Sequence, residues 1–250
     1  LTRSNIKTNT LRRKIACMKV FYNYLKYQNI IEENPFNQLR FQFRTEKVLP
    51  KTIPYDILKS IFIYLEQKVI VSKTDYQKQH AERNLLIISL LLSTGIRISE
   101  LCNIHLKDIN LSNKTLHIIG KGKKERILFL GDQKTFNLLE TYINKTRNES
   151  NDFLFPGKHS LKPLSEQSVR LVIKRIVEQN SLSKTITPHM FRHSFATMLL
   201  DNDVDIRYIQ QILGHSSISI TQIYTHVSHS KQKEILSSFN PVSTIHSEIE

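Results

Sequence analysis

Near the end of the chain, "LGHSSISITQIYTH" runs from Leu213 to His226 and holds Tyr224 between His215 and His226. A tyrosine among imidazoles can pack a core, sit beside a metal, or act as the nucleophile of a covalent reaction. His226 lies two residues past Tyr224, so on a helix it points elsewhere and makes a poor co-ligand for anything His215 binds. Upstream, "HMFRH" puts His189 and His193 at i and i+4, the spacing of two zinc ligands on one helix face. The glutamate of an HExxH motif is missing, and Arg192 occupies the intervening slot, one turn from His189. A guanidinium beside two imidazoles disfavours a cation and favours an anion. Arg97, just after Gly95, sits at a helix junction where a guanidinium and free amides can converge on one anion. "GKGKKER" (residues 120–126) has the composition of a phosphate-contacting hairpin tip, and no Gly-Lys-Ser/Thr opens a helix there as in a Walker A loop.

Each feature alone has an ordinary structural alternative. Tyr224 can be packing, His215 a helix-terminal loop residue, Arg97 the ion-pair partner of Glu100, and the hairpin a solvated basic turn. Taken together they pose one chemical problem. Cleaving a phosphodiester needs an in-line nucleophile, charge stabilisation on the non-bridging oxygens, and a proton for the leaving oxygen. Tyrosine, paired arginines, histidines and hairpin lysines supply each of these, and no acidic cluster of the kind a two-metal nuclease requires is present. A covalent route without metal is the economical reading.

The elements that must position these groups are mostly helical. Leu11, Ile15, Met18, Phe21, Tyr22 and Leu25 fall on one face of a helix over about 11–29, with Arg12, Arg13, Lys14 and Lys19 opposite. "ENPFNQLRFQFRTEKVLPKTIP" reads as a linker, with Pro35, Pro50 and Pro54 and no sustained period. Beyond it the spacing predicts a helix from near Tyr55 and a long one ending at Gly95, a residue suited to a left-handed cap. Ser99 is placed to cap a short helix through "ELCNI". "TLHIIGKGKKERILFL" switches to two β-rich runs around a glycine-containing turn, a hairpin. Helices follow at about 133–147 and 165–180, then one opened by Thr187-Pro188, and one over "IRYIQQIL" ended by Gly214. Ser216 or Ser217 can cap a last short helix carrying Tyr224.

Composition bounds the setting. Lys and Arg number 36 against 22 Asp and Glu, a net charge of +14, which points to a polyanionic partner, most often nucleic acid. The 40% hydrophobic content supports a core, while the longest apolar run, Leu85 to Leu92, is far too short to cross a bilayer. Cys17 and Cys102 form no CxxC pair, which fits a reducing compartment. Arg3, Lys7, Arg12, Arg13 and Lys14 interrupt any secretory signal, so a cytoplasmic, nucleoid-associated protein is expected.

"LLLSTGIRISELCNIHLKDI", "IIGKGKKERILFL", "TPHMFRHSFATMLL" and "LGHSSISITQIYTHV" resemble, in order and spacing, the motifs of the tyrosine recombinase (phage integrase) family, closest to its Xer-like and transposon integrase branch. The resemblance covers about residues 50 to 235. It implies a mainly α fold with a small β-sheet or hairpin (α+β). Residues 46–250 would be the catalytic domain, and 1–45, with the linker, the last part of a truncated helical core-binding domain that contacts DNA. The start on Leu1 rather than Met agrees with that truncation.

By position, the resemblance makes Tyr224 the nucleophile, forming a 3′-phosphotyrosyl bond and freeing a 5′-hydroxyl. Arg97 and Arg192 clamp the non-bridging oxygens, Lys121 protonates the leaving oxygen with Lys123 as its rival, His189 assists proton transfer and His215 binds the phosphate. Glu100 falls where the family often has a supporting acidic residue. Arg12, Arg13, Lys123, Lys124 and Arg126 are expected to touch backbone phosphates, contacts that position without specifying sequence. No cofactor, metal, membrane or small-molecule substrate is implied. The partners would be a double-stranded recombination site and a homo-tetramer on it, or a hetero-tetramer with a paralogue. "SHSKQKEILSSFN" resembles the segment with which family members pack on a neighbouring protomer. Two other readings are a type IB topoisomerase-like nicking-closing enzyme and a DNA-binding regulator with a degenerate site. The biological task, whether chromosome-dimer resolution, phage integration, transposition or gene-cassette capture, is not written in these motifs.

Overall fold

A computed structural model describes residues 6, 8–39, 51–120, 125–146, 152–157, 162–180, 182, 185–214 and 229–249, the last segment without the side chains of 229–232. The chain divides into two compact units, Leu1–Leu49 and Pro50–Glu250.

In the first unit, α1 spans Thr8–Tyr27. Its inward stripe is narrower than the sequence pattern suggests: Ile15 is buried and Leu11, Tyr22 and Leu25 are partly covered, whereas Met18 and Phe21 are exposed. Asn34 pins the following turn to this stripe. Its amide nitrogen donates to the Lys19 carbonyl and to Asn23, its oxygen accepts from the Phe36 N–H, and the Tyr22 and Phe36 rings pack at 5.4 Å. Arg12 and Arg13 lie on the exposed side.

The second unit is mainly helical. α2 (Tyr55–Ile70) and α3 (Asp75–Thr94) pack as a pair, and α3 is the central element. From Leu85 to Thr94 every residue of α3 is buried, so the helix is enclosed on all sides rather than along one stripe. Thr74 caps its start by accepting from the Gln77 N–H, and Gly95 ends it at φ 61. A Cβ at Gly95 would stand 2.5 Å from the Phe195 ring and 2.7 Å from Leu213, so both the left-handed backbone and the close packing demand glycine.

α4 (Ile98–Cys102) begins two residues earlier than a Ser99 cap allows. Glu100 folds back to accept from the Arg97 N–H at 2.9 Å, so Arg97 rather than Ser99 heads the helix. A 3-10 turn (Leu106–Asp108) leads into a meander of β1 (Ile109–Asn110), β2 (Thr115–Ile119) and β3 (Glu125–Phe129), antiparallel in that order. Leu116 faces Leu128 and Ile118 faces Arg126 across the β2–β3 ladder. Period-two alternation puts Leu116, Ile118, Leu128 and Arg126 on the core side, leaving Ile119 and Ile127 outward.

α5 (Gln133–Thr146), α6 (Glu166–Gln179), α7 (Pro188–Asp201) and α8 (Ile206–Leu213) follow. Thr187 occupies the cap position of α7 with proline at its first turn, but its hydroxyl makes no capping bond. Gly214 ends α8 in the left-handed region at φ 65. The chain closes with α9 (His229–Ser238) and α10 (Pro241–Ile249). α9 lies on its own chain: Ile235 and Leu236 are buried, and Gly131 passes under Leu236 so closely that a Cβ would be 1.9 Å from its carbonyl oxygen. α10 is a helix that the hydrophobic pattern alone leaves unmarked. Asn240 accepts from the Val242 N–H ahead of Pro241, a cap followed by proline, and Val242 and Ile245 are fully buried. No helix among the described residues is long and apolar enough to cross a membrane.

Candidate active site

Four separate segments bring a cluster of arginines together. Arg97 stands at the junction of α3 and α4, Arg126 on the inner face of β3 and Arg192 in the second turn of α7, all near the carboxyl end of α8. Glu100 is the carboxylate between them. Its Oε1 accepts from Arg97 Nη1 at 2.9 Å and Arg126 Nη1 at 3.1 Å, and its Oε2 from the Arg97 backbone N–H at 2.9 Å and Arg126 Nη2 at 2.8 Å. Burial alone would raise this acid. The donors from Arg126 and Arg97 outweigh it and hold the carboxyl at about 2.

Arg192 is anchored differently. Nη1 donates to the Gly95 carbonyl at 2.6 Å and Nη2 to the Leu213 carbonyl at 2.7 Å. Those carbonyls end α3 and α8, where helix dipoles place partial negative charge, so two helix termini support a cation that is only 6% exposed. Arg126 Nε takes the neighbouring Ile212 carbonyl at 2.9 Å, so the last two residues of α8 are each held by one arginine. Burial, and then the adjacent Arg97 charge, pulls Arg192 down to about 10, which still leaves it charged at neutral pH. Three guanidinium charges therefore face one carboxylate, a surplus that suits an anionic ligand. Arg97, with its side chain one-third exposed, is the member that opens to solvent.

His189 lies exposed in the first turn of α7, one turn before Arg192. His193 is lowered by its partial burial and then by the charges of His189 and Arg192, surroundings hostile to a cation. Among the described residues no three His, Cys, Asp or Glu side chains come together as a possible metal site. Lys121, Lys123, Lys124, His215 and Tyr224 lie outside the described residues, as do Ser216 and Ser217 and the helix expected to carry Tyr224. The structure describes the strands that bracket Lys121 and the Gly214 cap that precedes His215.

Arg126 departs from its expected place among outward phosphate contacts. Its side chain is 12% exposed, and all three guanidinium nitrogens are engaged within the protein. The signal for this was present in the strand alternation, since Arg126 shares its face with Leu128 two residues on. A run of basic residues masked it.

Comparison with known proteins decides the family. The model of the phage integrase family matches residues 64–231, more than half of the chain. The chain belongs to the phage integrase family. A tyrosine recombinase of Agathobacter rectalis is 51% identical over 243 residues, covering 96% of this chain and 79% of that protein. The tyrosine recombinase XerC of Bacillus subtilis is 34% identical over 243 residues, covering 94% of this chain and 76% of its own length. Among solved structures, the XerH site-specific recombinase in a post-cleavage complex with palindromic difH substrate shares the fold. Its TM-score is 0.68 at 24% identity, over 95% of this chain and 67% of that one. This integrase-family chain is a site-specific recombinase, an enzyme that transfers DNA strands.

Proposed function

We propose that this recombinase cuts one DNA strand at a time by attack of the Tyr224 hydroxyl on the scissile phosphorus, in line with the bond to the 5′-oxygen. The tyrosine oxygen bonds to phosphorus as the P–O5′ bond breaks, leaving a 3′-phosphotyrosyl linkage and a 5′-hydroxyl. His189 assists removal of the tyrosine proton, and Lys121, or Lys123 in its stead, delivers a proton to the leaving oxygen. Arg97, Arg192 and His215 hold the non-bridging oxygens, where negative charge grows as the transition state forms. Because the phosphotyrosine retains the energy of the phosphodiester, a second strand's 5′-hydroxyl reverses the step and rejoins DNA without ATP. Arginine charge does the work a metal ion would otherwise do.

The observation that carries this reading is the arginine cluster with its surplus of positive charge. Arg192 keeps one hydrogen on each terminal nitrogen and the Nε hydrogen beyond those given to Gly95 and Leu213, and Arg97 spends one guanidinium nitrogen on Glu100. Fixed, desolvated donors of this kind are worth more than mobile surface cations because they need no reorganisation when charge develops. The surplus also fits the chain's net charge of +14 and a double-stranded DNA partner.

On the same reading residues 1–45 contribute to gripping DNA, with Arg12 and Arg13 toward phosphates, and 46–250 carry the chemistry. A tetramer of this chain, or of this chain with a paralogue, exchanges strands between two duplexes in the cytoplasm on the nucleoid. Exchange of α9 between protomers requires Leu236 to leave its seat over Gly131.

The test is a nicked duplex, selected by the wild-type protein from a randomised-sequence pool, that traps the cleaved strand. A covalent adduct that persists in EDTA and disappears in Tyr224→Phe is expected. Cleavage that requires a divalent metal overturns the mechanism, and relaxation of plasmids lacking the selected site supports a nicking-closing enzyme instead.

A further inference from the structure

Arg126 touches three parts of the site at once. Through Nη1 and Nη2 it grips both oxygens of Glu100, the same oxygens that receive the Arg97 guanidinium and the Arg97 backbone N–H. Through Nε it holds the Ile212 carbonyl in the last turn of α8. Its side chain also lies flat against Gly214, where a Cβ would stand 3.2 Å from both Cδ and Nη1. The backbone of Arg126 belongs to β3, which follows Lys121 and Lys123 in the chain.

We infer that Arg126 is a positioning residue for strand cleavage rather than a DNA contact. It orients Arg97 through Glu100 and ties β3 to the Gly214 cap that ends α8. The inference rests on the roles proposed above for Arg97 and His215. Without Arg126, each Glu100 oxygen loses one of its two donors and the carboxylate is free to rotate. Arg97, one-third exposed and held by that carboxylate, then swings with it. The Ile212 carbonyl loses its partner at the same moment, loosening the last turn of α8. A lysine cannot substitute: one ammonium cannot span two carboxylate oxygens and a carbonyl in the plane that the fork matches. Nor is Arg126 available to a phosphate while three of its nitrogens face inward.

The experiment compares Arg126→Lys with the wild type, both as the full chain, on the nicked duplex selected by the wild-type protein. DNA affinity and its salt dependence are expected to stay within about twofold of wild type, while adduct formation under single-turnover conditions slows about 10²-fold, the scale of a small misplacement in a preorganised site. In a double-mutant cycle, Arg97→Lys with Arg126→Lys is expected to be little slower than Arg97→Lys alone, because both act through one guanidinium. A purely structural role predicts multiplied losses, which overturns the inference. So does a phosphate contact, which weakens binding and lowers the salt slope by about one, and so does near-normal cleavage. Should Arg126→Lys lose its folded signal, Glu100→Gln takes its place, with the same slowed cleavage at unchanged affinity expected and a normal rate counting against the inference. Failure of the wild type itself to form a Tyr224 adduct would instead remove the underlying reading.

Discussion

Two buried carboxylates, Glu100 and Asp132, are each drawn down to about 2, yet they keep opposite electrostatic company. Glu100 is surrounded by guanidinium charge from Arg97 and Arg126, with Arg192 close by. Asp132 is met by the Thr135 N–H and the Ser243 hydroxyl, both at 2.7 Å, and by His246 Nδ1 at 3.3 Å. The far side of that imidazole lies 3.7 Å from Glu66, and its edge packs on Phe62. In the first region cations exceed anions and donors remain to be used. In the second, an imidazole lies between two carboxylates and clasps α10 to α2 and to the turn before α5. Burial penalises both carboxylates alike, so a low carboxyl pKa does not by itself mark an active site. The sign of the surplus around it does.

Substitutions should separate the two regions. The largest effect is expected from Arg192→Ala. Cleavage slows about 10³-fold through loss of a preorganised donor to the transition state, and the orphaned Gly95 and Leu213 carbonyls lower stability by about 2–3 kcal/mol. Single-turnover adduct formation and urea unfolding measure the two parts. Asp132→Ala should reverse that balance, costing about 2–4 kcal/mol in unfolding because a helix-capping bond, the Ser243 contact and the partner of His246 vanish together. Cleavage per folded molecule should stay within about twofold, and a large loss of rate would erase the distinction between the regions.

The smallest effect is a shared response to acid. Both carboxyls are lower in the folded chain than in the unfolded one, so their stabilisation is complete above the unfolded values, near 4.5 for Glu100 and 3.8 for Asp132. It is lost as pH falls toward 2. The urea midpoint should therefore drop between about pH 4.5 and 2, and Glu100→Gln should flatten its own share, on the order of 2–3 kcal/mol. A midpoint unchanged across that window would mean the arginines do not hold Glu100 as described.

Much of this was legible along the chain. Gly95 reads as a left-handed cap and Gly214 as a helix end because few other residues adopt that backbone without strain, and both occupy the left-handed region. The hairpin was legible from its change of period, and its strands pair antiparallel as that change implies. Arg126 turns inward, as its parity with Leu128 implies, whereas its neighbours Lys123 and Lys124 make charge the louder signal in the sequence. α4 starts ahead of Ser99 because the Glu100 side chain, not a serine hydroxyl, completes the first turn. α10 carries no hydrophobic period because its buried face, Val242, Ile245 and His246, is too short, and Asn240-Pro241 is its one local signal.

By itself the sequence determined the family, through motifs whose residue types and order suit one chemistry, and the helical framework, through local caps and periodicities. Tertiary structure alone decided which arginines offer their donors outward and which spend them inside. That choice depends on contacts between segments as distant as Gly95 and Arg192, 97 residues apart. Side-chain type announces a charge, but only the packing of helix ends and a carboxylate around it determines whether that charge is neutralised or left to act.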